Sequence, residues 1–466
     1  MLKIIIFFIY IKGMKKFIDL INNQFEEMMR NREDPNKHLF FNTWWKQTYK
    51  EWSEEKFKIK NANKYKYSIE DISNIKPLSE CKFTPNKTLS DKYLEDFYEL
   101  LSSPNADYHK IQEKCHEMIN YNLPATLNVK DLSKWKKYDE KHTINVMILG
   151  SGPVGLFTAL YLNTVYNKPK DIRVFSPVNI NILLVDNRIK KENVKLPYSR
   201  GTQFGFNISE LQPFLEYISC WNMHRIGTRA FDYIHVLENM LYTRAYHAKI
   251  PMLFTDKFNE YDKLESFIEK ENINVLFDCS GGRTNIPVKK SLNIFKLSKF
   301  LFKEDNQEVK LNKKTNYYEH YENNELVTKP TLRLQLFDKQ NKEILVGNIF
   351  GYPTDQEDID LIEKYKNMCF TLDDYIKISS GYKKEQLRYL LPKILENVKN
   401  PQYVKINLFY SIARHSPFAA AKLNKKCMLV RLGDSLGGTE YGIIFGMKHS
   451  IEQSRFICNL IPSFLT

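Results

Sequence analysis

The sequence predicts an α/β protein in which a parallel-sheet domain follows a helical N-terminal region and carries an inserted, mostly antiparallel β-sheet. Three observations predict it. A glycine-interrupted apolar stretch begins at Asn145 and reads "NVMILGSGPVGLFTALYL", strand patterns alternate after about residue 325, and helical spacing dominates before residue 140. The expected boundaries are 1–140 for the helical region, 141–290 and 413–466 for the parallel-sheet domain, and 291–412 for the antiparallel sheet.

The N-terminal region reads as helices separated by polar loops. Aromatic residues recur at helical spacing in "LFFNTWWKQTYKEW", which predicts a face that docks on a neighbouring domain, with binding of a base or peptide as the alternative. Ser90 precedes the acidic first turn of "SDKYLEDFYELL" and predicts a helix start. The apolar run from Ile4 to Ile11 has about half the length that crosses a bilayer, so no membrane span is expected.

The glycine interruption separates a predicted buried strand, residues 144–149, from a helix that starts around Pro153. Gly150, Gly152 and Gly155 fit the pattern G-x-G-x-x-G. In a dinucleotide site the first glycine permits the tight turn, the second lets a pyrophosphate approach the backbone, and the third lets helix and strand pack closely. The helix N-terminus then offers unpaired N–H groups to the phosphates. The stretch therefore predicts a dinucleotide site, with a ligand-free glycine turn as the alternative.

An acidic residue at the end of the next strand completes this pattern. Asp186 ends the apolar run "INILLVD" and is expected to accept hydrogen bonds from ribose hydroxyls. The spacing from Gly155 to Asp186 exceeds the usual twenty or so residues. We attribute the excess to a loop inserted at "NKPKDIRVFSPVN".

Strands of the inserted sheet follow. "TLRLQLFD" and "EILVGNIFG" alternate apolar and polar residues around a short polar turn and predict a hairpin. "YVKINLFYSI" repeats the alternation after a predicted helix, "EQLRYLLPKILENV". The chain then returns to a strand and helix near its C-terminus.

This C-terminal segment distinguishes FAD from NAD. In "VRLGDSLGGTEYGIIFG" a strand ends in Gly433 and Asp434, so the carboxylate is expected beside the ribityl chain and pyrophosphate of a flavin cofactor. Further glycines are expected to allow close backbone approach at the start of the next helix: Gly437, Gly438, Gly442 and Gly446. A plain dehydrogenase has no use for such a segment.

The sequence resembles the FAD-dependent aromatic-hydroxylase class of monooxygenases, and within it the monooxygenase domain of the MICAL proteins. The similar motifs are "GSGPVGL", "LLVDNR" with Arg188 two residues past the acid, "FDYIHVLENMLYTRAYHAKI", "FDCSGGRTNIP" and "LGDS" with the glycines that follow it. The resemblance implies these cofactor-binding residues: Gly150, Gly152, Pro153, Gly155, Asp186, Arg188, Gly282, Gly433, Asp434 and Gly442. Three features depart from the class. Thr439, Glu440 and Tyr441 precede Gly442 where the class usually has a proline and then a Gly-rich, Asn-containing run. Gly281-Gly282 replaces an Asp-Gly pair, and the arginine expected near the start of the "HVLENML" helix is missing.

By this resemblance, NADPH would reduce the flavin, and oxygen would form a flavin hydroperoxide that attacks an unidentified small molecule or a protein methionine. The cofactor supplies such chemistry, so no catalytic side chain can be named from the sequence. Two alternatives remain open. One is a non-catalytic partner-binding protein on the same fold, similar to the Rab escort and GDP-dissociation-inhibitor proteins. The other is a flavin oxidase or a halogenase-like enzyme.

Composition narrows the setting. The formal net charge of +14 is spread over short mixed runs, which favours a solvated surface over a nucleic-acid site. Seven separated cysteines without a CxxC pair predict neither a disulfide framework nor a metal site, and favour a reducing, cytoplasmic setting. His224, His235 and His247 are too far apart for one helical turn and are interpreted as packing or surface residues.

Overall fold

The computed structural model describes residues 14–24, 85–136, 143–167, 179–198, 203–207, 224–226, 229–284, 286–287, 307–312, 317–322, 324–326, 328–337, 343–344, 364, 368–378, 403–412, 414–438 and 445–461. Four of the predicted segments lie outside these residues. They are the apolar run from Ile4 to Ile11, the aromatic face before residue 53, the loop inserted between Asn167 and Asn179, and the helix "EQLRYLLPKILENV".

The described helices, in chain order, are α1 (14–24), α2 (Asp91–Ser102), α3 (Tyr108–Met118), α4 (Pro153–Tyr166), α5 (Ile234–His247), α6 (Tyr261–Lys270), α7 (Leu372–Ile378) and α8 (Phe445–Leu460). Short 3₁₀ segments cover Val129–Trp135, Lys257–Asn259 and Gly433–Ser435. None of the helices in the described part of the chain is long and apolar enough to cross a membrane.

The first ten strands are β1 (Leu123–Pro124), β2 (Thr143–Leu149), β3 (Asn179–Asp186), β4 (Ile189–Lys191), β5 (Val194–Lys195), β6 (Gln203–Asn207), β7 (His224–Ile226), β8 (Arg229–Tyr233), β9 (Met252–Phe254) and β10 (Val275–Asp278). The later strands are β11 (Gln307–Asn312), β12 (Tyr317–Glu322), β13 (Glu325–Leu326), β14 (Thr328–Phe337), β15 (Glu343–Ile344), β16 (Cys369–Thr371), β17 (Tyr403–Ile412), β18 (Arg414–His415), β19 (Ala420–Lys422), β20 (Met428–Arg431) and β21 (Gly437–Gly438).

The central sheet has six strands in the order β19-β20-β10-β2-β3-β9. Its strands are parallel apart from β19, which pairs antiparallel with β20 at one edge. Counted along the chain, the parallel strands follow the order 3-2-1-4-5 of a dinucleotide-binding α/β fold. The order reverses between β2 and β10, so a ligand crevice is expected at the carboxyl ends of these two strands. The predicted α/β fold class is confirmed.

Both faces of the central sheet are buried, as a parallel sheet requires. Along β2, Ile144, Val146 and Ile148 belong to the core shared with α4, α5 and α8, while Met147 and Leu149 belong to the core shared with α6. Because successive side chains point to opposite faces and both faces are buried, β2 is continuously apolar from Val146 to Leu149.

The inserted sheets are antiparallel, as predicted. β14 pairs with β17 along the whole length of both strands, and β15 and β16 complete that sheet. A second sheet has the order β11-β12-β18-β21 and takes its last two strands from the segment after residue 413. That segment therefore contributes strands to the central sheet and to an antiparallel sheet.

One prediction for the C-terminal segment is wrong. Gly437 and Gly438 do not start the next helix but form β21, which pairs with Arg414 and His415. The helix α8 begins at Phe445. Glycines impose no side-chain requirement, so their presence alone does not separate a close-packed strand edge from a helix start.

Helix α1 covers the edge of the central sheet. The amide nitrogen of Asn22 donates to Ala420 O at 2.9 Å, and the Ala419 and Ala420 N–H groups donate to Asn22 Oδ1 at 2.8 and 3.0 Å. One side chain thus satisfies backbone groups that β19 would otherwise leave open to another strand. Met14 of the same helix is buried.

A histidine pair joins the N-terminal helices to the parallel-sheet domain. His116 Nδ1 of α3 lies 2.8 Å from His235 Nε2 of α5, and His235 is fully buried. A single hydrogen bond between two imidazoles requires one to donate and the other to accept, so the pair fits when both rings are neutral. Burial lowers the pKa of His116 to about 4.

This pair predicts acid-dependent loss of stability. The pKa of His116 is lower in the folded state than in the unfolded state, so its contribution is full above about pH 6.5 and is lost as the pH falls towards 4. The shift corresponds to about 3 kcal/mol. We expect the melting temperature to decline over this interval, and His116→Gln to decline less because an amide does not titrate. Parallel curves for the two proteins would contradict the assignment.

Candidate cofactor site

Three loops meet at the carboxyl edge of the central sheet: the glycine turn after β2, residues 279–282 after β10, and the 3₁₀ turn Gly433–Ser435 after β20. A Cβ added to Gly150 would lie 2.4 Å from Cys279 O. A Cβ on Gly433 would lie 3.4 Å from Val154 Cγ2 in the first turn of α4. The sequence prediction named residues in all three loops, and the fold brings these loops together where the strand order reverses.

The three glycines of the turn have different surroundings. Gly150 has a φ of +100°, which a side chain would strain. A Cβ on Gly155 would lie 1.8 Å from Gly150 O, so helix and turn are in direct backbone contact there. Among the residues that the structure describes, none has an atom within 4 Å of a Cβ added to Gly152.

The helix α4 begins after Gly152, which is its N-cap, and Pro153 occupies the first helical position. No side chain in the described ranges caps this helix. The first N–H groups of a helix have no partner within the helix, and its dipole is positive at this end. Open space at Gly152 therefore coincides with donors that suit an anion.

Asp186 lies at the end of β3, as predicted, and its carboxylate is turned towards the glycine turn. Oδ2 accepts from Ser151 N at 2.9 Å and from Ser151 Oγ at 2.5 Å, while Oδ1 accepts from Arg188 N at 2.6 Å. Burial opposes ionisation, but Lys195, Arg188 and these hydrogen bonds outweigh it and lower the pKa of Asp186 to about 2. The carboxylate is thus charged at neutral pH, and Oδ1 keeps acceptor capacity for a ribose hydroxyl.

Beneath the turn lies a buried ionic cluster, consisting of Asp186, Arg188, Lys195 and Glu238. Lys195 Nζ lies 2.9 Å from Glu238 Oε1 and 3.8 Å from Asp186 Oδ2. Arg188 Nη2 pairs with the same Glu238 oxygen. Sequence reasoning named Asp186 and Arg188 but missed Lys195 and Glu238, because the "ENVKL" and "HVLENML" stretches hold no known ligand pattern.

The loop after β10 is tied to the turn after β20. Asp278 Oδ1 accepts from Ser280 N at 3.1 Å, from Ser280 Oγ at 2.6 Å and from Ser435 Oγ at 3.0 Å. The Gly282 N–H donates to Ser435 Oγ at 3.0 Å. Gly281 and Gly282 both have a φ of +71°, which explains a glycine pair at this tight turn.

Side chains of the inserted sheet occupy the space where a side chain on Gly282 would lie. A Cβ there would lie 2.7 Å from Arg414 Nη2 and 3.1 Å from the Tyr317 hydroxyl oxygen. The pair thus lets strands of the inserted sheet approach the loop. Gly281 instead borders Asp434, whose Cβ lies 3.9 Å from the place of an added Cβ. A direct contact between Gly282 and a cofactor stays a prediction.

Asp434 lies between two arginines. Surrounding protein raises the pKa of its carboxyl by desolvation, and Arg414 and Arg283 oppose the rise. The residue is nevertheless exposed, and so is Arg283. Neighbouring protein thus desolvates the Asp434 carboxyl, although the residue is still reached by solvent. Arg414 also donates from Nη2 to Gly281 O at 3.1 Å, which fixes it beside the loop.

Tyr317 joins the inserted sheet to the central sheet. Its hydroxyl donates to Ser435 O at 2.8 Å. The guanidinium carbons of Arg414 and Arg431 lie 4.9 and 4.8 Å from its ring centroid. Tyr317 thereby holds the Gly433–Ser435 turn against the β12 strand. Neither Tyr317 nor these two arginines was singled out from the sequence.

Other predicted groups are more dispersed. His235 packs against His116, and His247 lies 2.8 Å from Glu95 Oε2, which agrees with packing and surface roles. The side chain of His224 and the residue Gly442 lie outside the described part of the chain. Among the residues that the structure describes, no group of three histidine, cysteine or acidic side chains is placed to hold a metal ion.

Comparison with known proteins gives a limited answer. No protein-family model matches the sequence, and no curated protein is similar to it. Solved structures share parts of the architecture, and several of them are flavin-dependent enzymes. CtdE in complex with FAD is 10% identical with a TM-score of 0.40, over 69% of this chain and 85% of that one.

Two further structures give similar values. p-Nitrophenol 4-monooxygenase from Pseudomonas putida DLL-E4 is 12% identical with a TM-score of 0.34, over 70% of this chain and 81% of that one. The tetrameric form of 2-methyl-3-hydroxypyridine-5-carboxylic acid oxygenase is 10% identical with a TM-score of 0.37, over 68% and 82%. At such values these similarities do not decide what this chain binds.

Proposed function

We propose that the protein is an FAD-dependent oxidoreductase of the flavin monooxygenase kind. The observation that carries the proposal is the empty space at Gly152. Protein atoms fill the positions where a Cβ on Gly150 or Gly155 would lie, whereas no atom of the described part of the chain lies within 4 Å of a Cβ on Gly152, at the N-terminus of α4. A dinucleotide pyrophosphate needs such a backbone approach beside free helix N–H groups.

The surroundings of Asp434 support FAD as the dinucleotide. FAD extends from the adenosine half, at the glycine turn and Asp186, to a ribityl chain and an isoalloxazine ring. A second polar loop is needed beyond the pyrophosphate, and the Gly433–Ser435 turn lies against the first turn of α4. There Asp434 is available to accept hydrogen bonds from the ribityl hydroxyl groups, and Arg283 and Arg414 supply positive charge beside it.

When bound, the flavin would supply the redox chemistry, with NADPH as reductant and molecular oxygen as co-substrate. The chain's own residues would bind and orient it: the glycine turn holds the pyrophosphate, Asp186 the ribose, and Asp434 the ribityl chain. The antiparallel sheet β14-β17 would bound the substrate side. The narrower similarity to the MICAL monooxygenase domain is part of this proposal and depends on the sequence motifs alone.

The first test is the visible absorption spectrum of the purified protein, with FAD added and NADPH then titrated anaerobically. We expect two flavin bands that bleach on reduction. Absence of flavin bands after FAD addition would overturn the proposal and favour the partner-binding alternative. Bands that NADPH leaves unchanged would contradict the NADPH step and favour an oxidase with another reductant.

Gly152→Ala separates ligand binding from folding. Its φ of −73° and its open surroundings accept an alanine, so we expect the apoprotein's stability to change by less than about 0.5 kcal/mol. The added methyl group would occupy the space of the pyrophosphate, and FAD affinity should fall at least about tenfold, equivalent to about 1.4 kcal/mol. Calorimetric titration with FAD measures this, and unchanged affinity would place the phosphates elsewhere.

A further inference from the structure

Ser151, between the first two glycines of the turn, has all three of its polar groups held by buried ionic side chains. Its N–H and hydroxyl donate to Asp186 Oδ2 at 2.9 and 2.5 Å. Its carbonyl accepts from Lys195 Nζ at 2.5 Å. In an ordinary loop residue, some of these groups form hydrogen bonds with water. Here the charged side chains of Asp186 and Lys195 hold the turn in place.

Lys195 is an unusual residue for this place because its side chain has no solvent exposure. Lysine is rarely buried completely, since desolvation of the ammonium group is unfavourable unless it is paired. Its partner Glu238 is equally buried, at 2.9 Å. Desolvation lowers the pKa of Lys195, and the charge of Glu238 opposes this.

Glu238 depends on the two cations beside it. Both Lys195 and Arg188 approach Oε1, while Oε2 is buried and makes no hydrogen bond to any residue that the structure describes. The cluster contains two cations and two anions, so it is neutral as a whole. It connects the ends of β3 and β5 and the helix α5 to the one turn that follows β2.

We propose that Lys195 and Glu238 are positioning residues that hold the glycine turn in the conformation that receives a nucleotide pyrophosphate. This inference rests on the proposed function. Neither side chain needs to touch the nucleotide: Lys195 holds the Ser151 carbonyl so that the backbone of Gly152 faces open space, and Glu238 holds Lys195. Binding groups fixed before the ligand arrives lose less freedom on binding.

If the proposal is correct, two variants should separate the effect of charge balance on stability from the effect of turn geometry on ligand binding. Lys195→Met removes a cation and the donor to Ser151, and leaves Glu238 with Arg188 alone. The double variant Lys195→Met with Glu238→Gln restores neutrality, because Asp186 and Arg188 remain as one anion and one cation. It does not restore the donor to the Ser151 carbonyl.

The experiment uses the full chain and measures the melting temperature without ligand and the affinities for FAD and ADP by calorimetry. ADP probes the nucleotide half alone. We expect Lys195→Met to melt at lower temperature and to bind both ligands at least about tenfold more weakly, because small displacements of positioning groups weaken function strongly. The double variant should recover most of the melting temperature while its ligand affinities stay low. Lys191→Met, at an exposed lysine of the same hairpin, should match the wild type.

Recovery of both melting temperature and affinity in the double variant would overturn the proposal, since Lys195 would then serve only the fold. Unchanged ADP and FAD affinity in a folded Lys195→Met protein would also overturn it. A wild type that binds ADP but not FAD would instead remove the flavin assignment while leaving the positioning role testable with ADP. If Lys195→Met does not fold, the ligand affinities of the double variant test the proposal: low affinity supports it and wild-type affinity overturns it.

Discussion

Gly155→Ala is expected to lower the free energy of unfolding by at least about 3 kcal/mol, at or above the upper end of the usual range for overpacked sites. The added Cβ would lie 1.8 Å from Gly150 O and 3.0 Å from Gly150 C. These are backbone atoms of the turn, so no side chain can rotate away to make room. Relief requires α4 to move off the end of β2, where α4 packs between the central sheet and both α5 and α8.

The measurement is the thermal or denaturant unfolding of the apoprotein, with Gly152→Ala as the matched control three residues away. Both variants add one methyl group to the same turn, but only the control places it in open space. We expect the control to unfold like the wild type. Equal stability of all three proteins would show that α4 and the turn are not in backbone contact at Gly155.

The sequence predicts this part of the site because its determinants are local. Within about a dozen residues, the chain forms a buried strand, a glycine of positive φ and a helix that starts at Pro153. Each of these features has a characteristic residue type at a fixed spacing in the sequence. Asp186 was predictable for the same reason, since it marks the end of the next apolar strand. The repeated βαβ pattern predicts a parallel sheet, but the strand order is visible only in the fold.

The ionic cluster beneath the turn was not predictable in this way. Lys195 lies 44 residues from Ser151, and Arg188 lies 50 residues from Glu238. In the sequence, the lysine of "ENVKL" is one of many in a basic chain and has no distinguishing spacing. Its burial results from the packing of the β4-β5 hairpin and α5 around the turn, which depends on tertiary contacts.

The contact between the parallel and the antiparallel sheet was also not predictable, because it joins residues that lie far apart in the sequence. Tyr317 reaches Ser435 over 118 residues, and Asp278 reaches it over 157. The glycine pair at 281–282 was identified as a departure from the enzyme class that the sequence resembles, but its cause is visible only in the fold. Arg414 and Tyr317 occupy the space where a side chain on Gly282 would lie.

Arg431→Met is the second substitution with a large expected effect, through a buried charge at this junction. Arg431 and Asp278 are both almost completely buried, and Arg431 Nε lies 3.9 Å from Asp278 Oδ2. Neither of these two atoms makes a hydrogen bond to a residue in the described part of the chain, so the ion pair is what compensates them. Asp278 Oδ1 and Arg431 Nη1 have hydrogen bonds of their own. Methionine retains apolar contact with the rings of Tyr317 and Phe418 but leaves Asp278 charged and unpaired.

Removing one partner of a buried ion pair lowers stability by about 3–5 kcal/mol. We therefore expect Arg431→Met to unfold early in denaturant, and Asp278→Asn to restore part of the loss when both changes are combined, because the amide can still accept from Ser280 and Ser435 through its oxygen. Lys425→Met, at an exposed lysine between β19 and β20, is the matched control and should be neutral. Additive losses in the double variant would show that the two charges do not compensate each other. The position of the Gly433–Ser435 turn would then depend on hydrogen bonds, including those of Tyr317, Asp278 and Gly282 to Ser435, and not on this ion pair.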